Sequence, residues 1–174
     1  MKKNYLLSLL MMFIAVAMLN SCKKSDIAYE NDFDRSQKSW TSFKASSNNS
    51  YRYKVNGSSW TGSSSESVIS VKDGKVTGRS FLSRTTTNKP GEVVVREEWI
   101  EDQSNINTHP GGYKAITLDE VYQKAKTEWL LKRKDADTYF ETNNNGMISS
   151  CGYISKNCMD DCFRGITIES IEKI

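Results

Sequence analysis

The chain has 174 residues, one ordinary domain's worth, with 24 basic and 21 acidic side chains and 10% aromatics. That aromatic content excludes a disordered chain despite a mean hydropathy of −0.58, because disordered segments lack the large apolar side chains that offset chain entropy. Basic and acidic residues interleave, as in Lys124-Ala-Lys126-Thr-Glu128, so the charge reads as solvated faces and no nucleic-acid partner is expected.

The first element is an export signal. Lys2 and Lys3 supply positive charge, Tyr5 to Leu19 is apolar apart from Ser8, and Leu19-Asn20-Ser21-Cys22 closes the run. The apolar stretch is shorter than the roughly 20 residues a membrane helix needs. Its last four residues resemble a bacterial lipobox, and the Ser-Cys-Lys-Lys junction resembles those of Bacteroidetes lipoproteins. The resemblance implies removal of residues 1–21 and lipidation of Cys22. Two or three acyl chains, at about 0.8 kcal/mol per buried methylene, would hold the chain on a membrane. An acidic run after the cysteine, frequent in surface-exported members of that group, is missing. The expected location is therefore the envelope, on the periplasmic side of the outer membrane.

Processing changes the arithmetic. Loss of Lys2 and Lys3 lowers the basic count from 24 to 22 against 21 acids, so the mature charge is +1 and the sequence pI of 8.6 overstates its basicity. Residues 22–31 read as lipidated terminus and tether, and 32–174 as a single domain.

Along that domain, Phe33, Trp40 and Phe43 fall at helical spacing over 31–45, with Asn31 or Asp32 as the expected N-cap. Ser46 to Ser50 and Ser63 to Ser67 read as polar loops. Tyr51, Tyr53 and Val55 then alternate with Arg52 and Lys54, the pattern of a half-buried strand. Asp73-Gly74 predicts a type I′ hairpin between Ser67–Val71 and Lys75–Thr77, the second strand continuing through Arg79–Thr86. Over 92–101, alternation places Val93, Val95, Glu97 and Trp99 on one face. Thr117-Leu-Asp-Glu120 is a capping box opening a helix to about Arg133, with Leu118, Val121, Tyr122, Ala125 and Trp129 as its apolar stripe. Strands at 138–142, 147–153 and 165–171 close the chain. The fold class is α+β: an antiparallel sheet with two helices packed on one face, in the order α-β4-α-β3 after the signal peptide.

With Cys22 lipidated, Cys151, Cys158 and Cys162 remain as disulfide candidates. An oxidising envelope favours one disulfide, and the odd count leaves a free thiol or an intermolecular bond. The spacings do not suit zinc, so no metal and no cofactor are expected. The chosen bridge is Cys151–Cys162, which would staple one hairpin.

No catalytic residue is assigned. Glu141-x-Asn143-x-Asn145-Gly146 imitates a calcium loop, but the twelfth position is Gly152 where a bidentate Glu is needed, so turn chemistry is expected. His109, the single histidine, reads as a loop residue without a role. Glu97 and Glu98, adjacent in a strand, point to opposite faces. Asp160-Asp161 is the one acidic pair in a constrained loop.

Together Trp40, Tyr51-Arg-Tyr53, Val71-Lys-Asp-Gly-Lys-Val76, Ile116-Thr-Leu-Asp-Glu-Val-Tyr122 and the closing strand pair resemble a family of bacterial envelope lipoproteins defined only as a domain of unknown function. The resemblance implies a fold and a compartment but no catalytic residues. The expected role is a non-catalytic binding or envelope-structural module with a protein partner in the envelope. The alternatives are an inhibitor or immunity-like factor against an envelope enzyme, and a small hydrolase with an unrecognised site.

Overall fold

The computed structural model describes residues 26–89, 91–160 and 162–174. The export segment and Cys22 lie outside them. Among the described residues no helix is long and apolar enough to cross a membrane.

The fold is α+β. Helix α1 (Glu30–Ser46) precedes strands β1 (Tyr51–Ser58), β2 (Ser63–Lys72), β3 (Lys75–Thr86) and β4 (Val93–Asp102). Helix α2 (Leu118–Lys124) follows, continued by a π-helical turn over Ala125–Trp129. Strands β5 (Ala136–Glu141), β6 (Ser150–Ser155) and β7 (Arg164–Lys173) complete it. The seven strands form one antiparallel sheet in the order β4-β3-β2-β1-β7-β6-β5. The first and last thirds of the chain meet along β1 and β7, where Tyr53 faces Ile171.

The alternation in β1 is realised: Tyr51, Tyr53 and Val55 are buried while Arg52 points to solvent. Their inward neighbours are Val71, Ile69 and Ser67 of β2, and the core continues through Ile166 and Ile168 of β7. Trp40 of α1 meets Tyr51 edge-on at 5.1 Å between ring centroids and stacks on Tyr122 of α2 at 6.2 Å. Phe33 is 1% exposed against Tyr122 and Phe140. Each fully buried side chain of this size contributes about 1.5–3 kcal/mol relative to exposure. The Tyr51 hydroxyl accepts from the Leu118 N–H, an orphan donor of the first helical turn, and the Tyr53 hydroxyl donates to the Ile116 carbonyl. Both tyrosines therefore tie α2 to the sheet through its N-terminus.

Local chemistry explains several elements directly. Asp73 and Gly74 both hold positive φ, as the tight β2–β3 hairpin requires. The capping box is complete: Thr117 Oγ1 accepts from the Glu120 N–H, and Glu120 accepts from the Thr117 N–H. Leu118, Val121, Tyr122, Ala125 and Trp129 are all buried.

Other expectations are corrected. Asn31 and Asp32 do not cap α1; they lie inside its first turn, and Tyr29, in the left-handed region, precedes it without a side-chain cap. Tertiary contact replaces the cap. Ile27 bridges Leu131, the Ala28 N–H donates to the Leu130 carbonyl, and the Tyr29 hydroxyl donates to the Thr138 carbonyl. Residues 26–29, inside the segment 22–31 read as tether, thus pack against the domain. Ser63 to Ser67 is strand, not loop, because β1 and β3 offer it ladder partners on both sides. Met147 and Ile148 are core residues of the β5–β6 connection, ahead of β6.

The α helix expected to run to Arg133 stops at Lys124. The Leu130 N–H reaches the Ala125 carbonyl five residues back, and the wider turn swings Leu130 into the core beside Trp129, both buried. A regular α-turn would turn Leu130 away from that stripe. Finally, β4 carries a bulge: Ser83 pairs with Glu97 but Arg84 pairs with Val95, leaving Arg96 as the extra residue. Val93 and Val95 therefore share the outer face with Glu98 and Ile100, not the inner face of Glu97 and Trp99.

Candidate functional site

The most elaborate side-chain constellation sits where β3 and β4 meet the connection from β4 to α2. Arg79 is inward-facing by its register with Phe81, and Glu101 stands directly opposite it on β4. Both are buried, at 3% and 1% exposure. Their pairing is bidentate, Arg79 Nε to Glu101 Oε2 and Nη2 to Oε1, each at 2.8 Å. Such fork geometry is the strongest ion-pair arrangement available to a protein.

The remaining lone pairs of Glu101 go to the loop. The backbone N–H of Asn107 donates at 2.7 Å, that of His109 at 2.8 Å, and His109 Nδ1 lies 3.0 Å from Oε1. An ionised carboxylate can only accept, so Nδ1 carries the imidazole proton. The Arg79 guanidinium, with backbone and ring donors beside it, outweighs burial and holds the Glu101 carboxyl well below the usual carboxylate range. Arg79 spends its other donors on the carbonyls of His109, Gly111 and Tyr113. Trp99 closes the cluster, stacked on His109 at 4.5 Å with the Arg79 guanidinium 4.4 Å from its ring centroid. Gly112 takes φ +73° with Phe81 and Ser67 so close that a Cβ has no room.

This arrangement is a clasp. The acceptor sites on Glu101 are occupied, and its proton is held off far below neutral pH, so the group has no capacity to shuttle one. His109 is committed to the same carboxylate and to Trp99. Spacing alone gives His109 no role, marks Glu101 only as the acidic neighbour of Asp102, and does not pair it with Arg79. The available signal was alternation: Phe81 inward forces Arg79 inward, and a buried guanidinium requires a buried carboxylate.

The other singled-out residues fall elsewhere. Cys158 and Cys162 form the disulfide, with Cα atoms 6.2 Å apart. The expected Cys151–Cys162 bridge is not formed. Cys151 points into the core from β6, fully buried, and burial pushes its thiol up to about 12. The alternating pleat explains this, since Cys151 pairs with Ile166 on the inner face while the other two cysteines lie in the β6–β7 connection.

Glu97 accepts from Trp99 Nε1, whereas Glu98 lies on the opposite face, as adjacency required. Asp160 accepts from Trp60 Nε1 at 3.0 Å, joining the β6–β7 and β1–β2 loops; Asp161 lies outside the described residues. Asn145 and Gly146 take positive φ in the turn before β6, and Asn144 donates to the carbonyls of Ile148 and Ile168. Among the described residues no group of three or more His, Cys, Asp or Glu side chains is placed to hold a metal ion.

Comparison with family models, curated proteins and solved structures gives no match to this chain. The surface depressions are open to solvent. One of about 360 Å³ is lined by serines of β1 to β3 together with Arg84 and Arg96. Another, of about 420 Å³, lies against the disulfide, between Asn157 and Arg164.

Proposed function

We propose that this chain is a lipid-anchored envelope protein, facing the periplasm, whose domain binds another protein and does not transform a substrate. Trp40 of α1 and the N-terminus of α2 meet Tyr51 on the inner face, and the outer face is the proposed contact surface. The observation that carries this reading is the exposure of apolar side chains on β4: Ile100 at 77%, Val93 and Val95 at 55% each. Around them lies a mixed-charge field in which Lys54 sits between Glu66 and Glu169, with Arg84 also near Glu66. Apolar anchors set in a polar rim are the usual make-up of a protein contact.

The pattern from Met1 to Cys22 supports the anchor, and the commitment of the single histidine to Glu101 supports a structural use of the chain's best acid–base pair. Photo-reactive residues placed at Val95 and Ile100, with Gln37 on α1 as control, test the proposal in intact cells. The expected result is one cross-linked protein shared by the two sheet positions, absent from Gln37 and diminished by Ile100→Glu. Failure of both sheet positions, or substrate turnover by the purified chain that His109→Ala abolishes, overturns it.

A further inference from the structure

Asp26 is fixed to one end of the sheet. Lys132 N–H donates to the Asp26 carbonyl, and Leu131 to Asp135 leads straight into β5. The same end carries the β1–β2 loop with Trp60 and the β6–β7 loop with Met159 and Phe163. The register shows this: Arg164 opens β7 beside Tyr153 near the end of β6, and β1 runs antiparallel to β7, so its Ser58 end points the same way. Trp60 and Asp160 join the two loops directly.

This end is also where aromatic and thioether side chains meet water. Met159 is 100% exposed, Trp60 77%, and Phe163 38%. Trp60 and Met159 leave most of their apolar surface open to solvent, and such amphipathic and apolar groups are suited to the boundary between acyl chain and headgroup.

We propose that this end of the domain lies on the bilayer, with Trp60, Met159 and Phe163 inserted at the lipid interface. The inference rests on the lipid-anchor reading of Cys22. Four residue steps from Cys22 to Asp26 span at most ~14 Å, whereas a ten-residue strand is ~33 Å long. A lipidated Cys22 therefore brings the Asp26 end to the membrane and leaves the Asp73–Gly74 hairpin far from it. Basic side chains here, among them Lys134, Lys156 and Arg164, are interleaved with Asp135, Asp137 and Asp160, so apolar insertion and not headgroup charge holds the contact.

The test uses the processed chain, lipidated at Cys22, in phosphatidylcholine vesicles whose acyl chains are brominated near the headgroup. Trp60 emission is expected to be quenched, the quenching to vanish in Trp60→Phe, and its size to stay the same when a fifth of the lipid is replaced by phosphatidylglycerol. If vesicle flotation persists but quenching is absent or identical in Trp60→Phe, the anchor stands and the docked orientation is wrong. If quenching rises steeply with phosphatidylglycerol, charge and not insertion makes the contact and the proposal fails. If a Cys22→Ser chain fractionates and migrates as wild type in cells, the anchor reading itself is wrong, and this proposal falls with it.

Discussion

Two connections show opposite ways of holding a loop. Residues 103–116, between β4 and α2, pack Ala115 and Ile116 into the core and must bring their backbone amides with them. Asn107 Oδ1 accepts from the Ala115 N–H, buried Glu101 accepts from the N–H groups of Asn107 and His109, and a buried guanidinium balances that carboxylate and collects carbonyls of the same loop. Lys156, Asn157, Asp160 and Phe163, between β6 and β7, are exposed, and Met159 is wholly so. The Lys156 and Cys158 amides of this loop donate to the nearby carbonyls of Asp135 and Ser155, and a covalent bond between Cys158 and Cys162 closes it. What separates the two is where each backbone goes, since both are connections at the margin of one sheet.

The comparison breaks most sharply at Glu101. Replacing it with Gln leaves the buried Arg79 charge unmatched, and a loss of about 3–5 kcal/mol in unfolding free energy is expected by urea titration. A smaller loss would mean that the loop is held by its apolar residues alone. The same group sets the response to acid. Its folded-state pKa lies below the unfolded value of about 4.3, so its stabilisation is fully present above that pH and declines as pH falls through the acid range. Wild type should lose stability progressively below about pH 4, and Glu101→Gln, already weakened, should show a shallower decline over that window.

Reduction of the disulfide should matter less. Closing so short a loop restricts the unfolded chain by about 2 kcal/mol at most, and thermal melting with and without reductant should show that modest difference with the same cooperative transition. The smallest effect expected is on thiol chemistry. In the native, unreduced chain Cys151 should not react with iodoacetamide at pH 8, and denaturation without reductant should release one reactive thiol there. A reactive Cys158 in its place would restore the Cys151–Cys162 pairing read from the sequence.

Legibility divides along the same line. Elements set by local chemistry could be read: the capping box at Thr117, the Asp73-Gly74 hairpin, the alternation of Tyr51, Tyr53 and Val55. Those set by distant partners could not. Asn31 looks like a cap, yet the helix entry is decided by Leu130, Leu131 and Thr138. Ser63 to Ser67 looks like loop until two neighbouring strands supply a ladder. The extra residue at Arg96 reverses the faces of the valines before it, and no periodicity argument marks where a bulge falls. The clasp was within reach, because an inward arginine beside Phe81 demands a counter-charge, but its loop donors depend on a backbone path that spacing does not encode.

The bulge at Arg96 has a meaning for the crowd as well as for the single molecule. β4 is an outer strand whose valines would serve as a ready template for another chain's backbone, the first step toward fibrillar pairing. A misfit residue in the middle of the strand, followed by Glu97 and Glu98, interrupts that template. Under the proposed lipid anchor, chains concentrated side by side on a membrane would then be kept from zipping onto one another along this rim.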